Sequence, residues 1–137
     1  MFSFALIAYA AVTNKDANSL EELFTPEPIV ELSIEERILT GAENLGINPQ
    51  LALAVAKCES GLDQGAKNPN STASGIFQFL KSTWKSTLER MGLPEHLDVF
   101  DASSNIMAGL WLMKQDGAST HWYPSEDCWG WAEYDIS

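Results

Sequence analysis

Glu59 closes the apolar run Leu51-Ala52-Leu53-Ala54-Val55-Ala56-Lys57-Cys58 and is followed at once by Ser60-Gly61. A polar stretch rich in Gly, Ser and Asn comes next. It leads to Gly75-Ile76-Phe77-Gln78-Phe79, an apolar segment with a single amide, and then to Ser82-Thr83-Trp84. A carboxylate on the last turn of a helix faces the negative end of the helix dipole, and apolar neighbours withhold solvation. Both effects favour the neutral acid. Such a group keeps its proton near neutral pH and can act as a general acid. Position alone fits a solvated glutamate at a helix end better than a catalytic one. Asp63 is the only acidic neighbour in this segment. On a continuous helix the two Cβ atoms would lie about 5–6 Å apart, near the carboxylate separation of retaining glycosidases. Gly61 ends the helix first, however, and two carboxyls from one short segment stand on the same side of a bond. Asp63 is therefore expected to be a loop or capping residue, which leaves a one-carboxylate site.

The elements that must position Glu59 are mainly helical. Ser33 with Glu36 forms a capping-box pattern, and Ile34, Ile38, Leu39, Ala42 and Leu45 make one apolar stripe ending at Gly46. Asn48-Pro49 starts the next helix, with Leu51, Ala54, Val55 and Cys58 on its inner side. Residues 63–74 read as a loop or short hairpin, and residues 75–79 as a compact apolar turn. Ser82 is expected to cap a helix that runs through Trp84 and Leu88 to Gly92. Ser103 or Ser104 is expected to cap a last helix carrying Ile106, Gly109, Leu110 and Met113, terminated by Gly117. An irregular aromatic and acidic tail follows. It holds Cys128 and is expected to fold back over the helix of Cys58. Trp84 and Trp111, at helical spacing, read as core. Trp122, Tyr123, Trp129 and Trp131 in the tail read as core or cleft.

Composition narrows the function classes. A chain of 137 residues with 45% hydrophobic content builds one core. Its net charge of −11 argues against nucleic-acid or anionic-membrane binding, which need clustered Lys and Arg. Residues 1–12 form an apolar, signal-like segment with Ala8-Tyr9-Ala10 as an A-x-A-like site. The run is too short to span a membrane and lacks a basic residue ahead of it; a packed N-terminal helix is the other reading. Residues 13–32 read as an acidic linker or arm, and residues 33–137 as the working domain. Export would let Cys58 and Cys128 pair; otherwise they are two buried thiols. Neither His96 nor His121 completes a metal-ligand spacing, and no metal or organic cofactor is implied.

The motifs together resemble the soluble lytic transglycosylase domain. Glu59-Ser60-Gly61 is similar to its E-S-G signature, Gly75 to Phe79 to its G-x-x-Q run, Ser82-Thr83-Trp84 to the S-T-W that follows, and Asn105-Ile106-Met107-Ala108-Gly109 to its N-I-x-A-G helix. The resemblance implies a lysozyme-like α fold. It also implies a secreted, periplasmic or cell-wall-associated monomer whose partner is the glycan strand of peptidoglycan. By the same resemblance Glu59 is the sole acid and base, and cleavage of the bond between N-acetylmuramic acid and N-acetylglucosamine gives a 1,6-anhydro product. Ser60 would orient Glu59, Gln78 and Phe79 would contact substrate, and Gly75 would let backbone approach the sugar. Many members carry an A-Y-N motif whose Tyr touches the catalytic Glu. That motif is missing here, and Trp122 or Tyr123 is expected to substitute. Related families keep two alternatives open: a hydrolytic muramidase of the goose-lysozyme or resuscitation-promoting-factor kind, and a glycan-binding wall protein without catalysis.

Overall fold

A computed structural model describes residues 29–134; the segment 1–12 and most of the arm 13–32 lie outside them. Four main helices carry the domain: α1 (Ile34–Leu45), α2 (Pro49–Ser60), α3 (Lys81–Met91) and α4 (Ala102–Asp116). Short helical turns follow: α5 (Ala118–Trp122), a 3-10 turn (Tyr123–Ser125), α6 (Glu126–Trp129) and a second 3-10 turn (Gly130–Glu133). The fold is mainly α, as the sequence predicts. Among the described residues extended pairing is limited to the isolated bridges Lys67↔Ser74 and Ser74↔Phe79, which shape the loop between α2 and α3.

Local chemistry sets the helix ends. The Ser33 hydroxyl accepts from the Glu36 amide, and the Glu36 carboxylate accepts from the Ser33 amide, completing the capping box. The Asn48 side chain accepts from the amides of Gln50 and Leu51, with Pro49 at the first helical position. Two expected caps are corrected. α3 begins at Lys81, with Leu80 at the N-cap and Ser82 already inside the helix. The Lys81 amide finds its acceptor at a distance, on the Thr72 hydroxyl at 3.0 Å, so no polar N-cap is needed. α4 is capped by Asp101 rather than by Ser103 or Ser104: its carboxylate accepts from the Ser104 amide and hydroxyl. The hydroxyl of Ser103 is instead engaged by Arg37 of α1.

α2 lies at the centre. Ala52 to Ala56 are all buried, a continuous apolar turn instead of a stripe, because α1 packs on one side and the tail on another. α1 faces it with Ile38 and Ala42, whereas Leu45 at the end of the predicted stripe is exposed. Ile106, Gly109, Leu110 and Met113 of α4 form the expected buried face. Gly109 allows the closest approach: a Cβ there would lie 2.5 Å from the Phe77 ring. The tail departs from the irregular coil expected of it, since it winds in successive helical turns over α2. Asp116 fastens its start, accepting from both guanidinium nitrogens of Arg90 at 2.8 and 2.9 Å and lying 2.7 Å from His121 Nε2. Trp84 is core as predicted, while Trp111 is half-buried beneath the Arg90 guanidinium, 5.1 Å from the ring centre.

Candidate active site

Glu59 sits on the last turn of α2. Gly61 ends that helix in the left-handed conformation at φ 64°, which any other residue adopts at a cost. The turn opens a cleft of about 400 Å³ lined by Cys58–Gly61, by residues 66–69 of the polar loop and by Gln78. Among the described residues Glu59 is the only carboxylate in that lining. Burial pushes its pKa above the ordinary glutamate value, and a hydrogen bond from the Ser125 hydroxyl partly opposes the shift. Asp63 does not join it. The Asp63 carboxylate accepts from the Gly65 amide at 2.9 Å and closes a turn, the loop role expected of it.

Ser125 donates to Oε1 of Glu59 from the tail. Its oxygen in turn accepts from the indole Nε1–H of Trp129 at 3.0 Å, and that ring is fully buried. A second acceptor, the Trp122 carbonyl, lies 3.1 Å from the same hydroxyl. A hydroxyl has one proton, so these contacts describe two alternatives. When Glu59 is ionised, Ser125 donates to it. When Glu59 is protonated, its O–H can donate to Ser125, and the Ser125 proton turns to Trp122. Both protonation states of the acid therefore keep a partner. The disulfide Cys58–Cys128, with Cα atoms 6.1 Å apart, holds the tail to α2 beside this contact.

Gln78 is one of two described non-glycine residues with positive φ, at 51°. Its amide nitrogen donates to the carbonyls of Gly75 (2.8 Å) and Ala66 (3.1 Å). Those two acceptors fix the amide orientation and leave the side-chain carbonyl oxygen for the cleft. Strain of this kind persists where surrounding structure imposes it. The anchor is Asn105, fully buried at the start of α4. Its Oδ1 accepts from the Phe77 amide at 2.9 Å, and its amide nitrogen donates to the Val99 carbonyl at 2.8 Å. The loop carrying Gln78 is thus pinned to α4.

A transglycosylase SLT domain family model matches residues 36–122, more than half of the chain. The chain belongs to that family. Over a shorter stretch of 41 residues it is 56% identical to "Probable transglycosylase SceD 2" of Staphylococcus saprophyticus subsp. saprophyticus. That alignment covers 30% of this chain and 16% of the relative, so the chain spans only a small part of that protein's length. No solved structure matches the chain.

The SLT motif residues take up positions that refine the expectations drawn from them. Glu59, Ser60 and Gln78 line one cleft. The Ser60 hydroxyl, expected to orient Glu59, donates back to the Ala56 carbonyl at 3.2 Å. Gly75 does not face the cleft: a Cβ there would meet the Asn105 amide at 2.3 Å and the Val99 carbonyl at 2.6 Å. Its freedom serves the close approach of loop and helix, at φ 79°. Phe79 and Trp122 are 3% and 5% exposed and form an aromatic core with Phe77 and Trp84. The Trp122 indole donates to the Phe77 carbonyl at 2.8 Å. Neither ring lines the cleft of Glu59, and Phe79 forms part of the wall of a neighbouring cavity. Trp129 is likewise buried, whereas Tyr123 and Trp131 are 65% and 61% exposed and line none of the described cleft. Sequence reasoning missed Ser125 and the loop residues Lys67, Asn68 and Pro69. A signal for Ser125 existed: if Cys128 reaches Cys58, whatever lies a turn before Cys128 reaches the neighbourhood of Glu59.

Proposed function

We propose that this chain is a lytic transglycosylase that cleaves peptidoglycan glycan strands with Glu59 as both acid and base. The observation that carries this reading is the lone, half-buried carboxylate of the cleft, paired with a hydroxyl that can serve either of its protonation states. Protonated Glu59 gives its proton to the glycosidic oxygen as the C1–O bond breaks. The N-acetyl group of the muramic acid stabilises the positive charge at C1. Glu59, now ionised and held by Ser125, accepts the proton of the C6 hydroxyl while O6 bonds to C1. The product is a 1,6-anhydro sugar, and no water is consumed. Such a path needs one protein carboxylate, unlike the two-carboxylate glycosidases.

The carbonyl oxygen of Gln78 would accept from a sugar hydroxyl or N-acetyl N–H, on a loop fixed by Asn105. In this reading Ser125, and not Ser60, Trp122 or Tyr123, positions the acid. Work outside the cytoplasm suits the Cys58–Cys128 disulfide, since such bonds persist in oxidising compartments. The catalytic domain would span 33–137. Glu59→Gln tests the assignment through release of soluble fragments from purified peptidoglycan. The rate should fall at least about 10²-fold, the scale of a general acid's contribution, while pelleting with insoluble peptidoglycan is retained. Full activity in that variant would remove Glu59 from the chemistry.

A further inference from the structure

We infer that a second cavity, adjoining the Glu59 cleft, binds the anionic peptide arm of the glycan strand. It encloses about 310 Å³ and is lined by Lys67, Lys81, Ser71 and Thr72 over an aromatic floor that includes Phe79 and Trp84. Lys67 lines both this cavity and the cleft of Glu59. The inference rests on the proposed peptidoglycan reading and specifies which part of that substrate the cavity takes.

Charge is the first argument. The chain carries 19 acidic residues against 8 Lys and Arg. Three of the seven described basic side chains are ion-paired: Lys57 with Glu35, Lys85 with Glu95, and Arg90 with Asp116. Lys67 and Lys81 have no ion-pair partner among the described residues, and no acidic side chain lines their cavity. Two uncompensated ammonium groups on one concave surface of an acidic protein make a local site for carboxylates.

Hydrogen-bond direction is the second. The Thr72 hydroxyl oxygen accepts from the Lys81 amide and the Ser71 hydroxyl oxygen from the Ala73 amide. Each oxygen has accepted one local bond and keeps one lone pair, and each hydroxyl proton is left to donate toward the cavity. The polar rim therefore presents donors, suited to acceptor oxygens. The apolar floor suits the alkyl portions of a peptide. A glycan strand of alternating N-acetylglucosamine and N-acetylmuramic acid is neutral along its sugars. Its carboxylates sit on the lactyl-linked peptide, one arm per disaccharide. A strand held at Glu59 brings such an arm to the neighbouring cavity.

The test compares two soluble tetrasaccharides, one bearing peptides with free carboxylates and one stripped of them by an amidase. Their affinities for the full chain carrying Glu59→Gln are measured by calorimetry. The peptide-bearing ligand should bind about tenfold more tightly. Adding Lys81→Gln, which touches the cavity and not the cleft, should remove most of that difference and leave binding of the stripped ligand unchanged. Lys85→Gln, on the same helix but paired with Glu95, should change neither. Equal affinity for both ligands, or a Lys81→Gln loss of the same size on both, would overturn the inference. Wild-type cleavage of peptidoglycan with no peptide preference would sink the cavity and leave the enzyme. A preference removed by Lys81→Gln without wild-type cleavage would sustain the cavity and sink the enzyme.

Discussion

Ser125, a turn before Cys128, donates its hydroxyl proton to Oε1 of Glu59, the residue after Cys58. The contact spans 66 positions of sequence and joins the acid on α2 to a tail held by a disulfide. It is supported from behind by the buried Trp129 indole, whose N–H is shared between the serine oxygen at 3.0 Å and the Trp122 carbonyl at 3.2 Å. The acid is therefore tuned by two opposed effects, burial raising its pKa and Ser125 lowering it.

Removing the serine hydroxyl should separate those effects. In Ser125→Ala burial acts unopposed, so the Glu59 pKa rises further. Because kcat/KM of a general acid falls as pH climbs through its pKa, the alkaline limb should move to higher pH. The maximal rate should drop about 10- to 150-fold, since a hydrogen bond to a charged group contributes about 1.5–3 kcal/mol. Ser125→Thr should restore much of both. A pH–rate profile scaled down uniformly, with its limb unmoved, would make Ser125 merely structural.

The disulfide should support both fold and site. For a loop closed across 70 residues, the chain-entropy model gives about 4 kcal/mol of stabilisation. Cys58→Ser with Cys128→Ser should lower the urea midpoint accordingly. Glycan cleavage should fall even where circular dichroism shows the helices intact, because the tail that carries Ser125 is no longer tied to α2. Unchanged stability would contradict the first expectation, and unchanged activity the second.

Much of the helical frame was legible because its signals are local. Ser33 with Glu36, Asn48-Pro49, Gly61 and Gly117 each place a helix end through neighbours in sequence. What was not legible depends on distant partners. Leu80 can start α3 because Thr72, across the loop, supplies the acceptor. Gly75 and Phe79 lie in a motif that resembles a substrate-binding segment, yet their side of the loop faces Asn105 and the aromatic core. Trp122 and Trp129 could not be told apart from Tyr123 and Trp131 by composition. Only the winding of the tail over α2 buries one pair and exposes the other. The signal for Ser125 is indirect, its place a turn before Cys128, and it reaches Glu59 only through the fold of the tail.

Asn105 should prove to be the anchor of the Gln78 loop. Asn105→Ala strands the Phe77 amide and the Val99 carbonyl in the interior. Leaving two such groups unpaired should cost on the order of 3 kcal/mol in urea unfolding. Where the variant is still folded, KM for glycan should rise as Gln78 loses its fixed position. A loss below about 0.5 kcal/mol, the size of an ordinary surface change, would contradict the anchoring role.

Acid should weaken the fastening of the tail. Asp116 is held well below the usual carboxylate range by Arg90 first and His121 second. A depressed carboxylate contributes stability above its unfolded value of 3.8 and loses it as pH falls below that value. Asp116→Asn should therefore cost about 1 kcal/mol at neutral pH, the upper end for a largely solvated pair. The gap from wild type should shrink as the medium is acidified below pH 3.8. A deficit independent of pH would mean that packing, and not charge, accounts for it.

The most direct test of the one-carboxylate account is mass spectrometry of purified peptidoglycan digested by this protein. The account predicts muropeptides ending in 1,6-anhydromuramic acid, lighter by one water than hydrolytic products, and their disappearance with Glu59→Gln. Reducing-end products would contradict it, because they would mean that water, and not the C6 hydroxyl, gives its proton to ionised Glu59 and adds to C1.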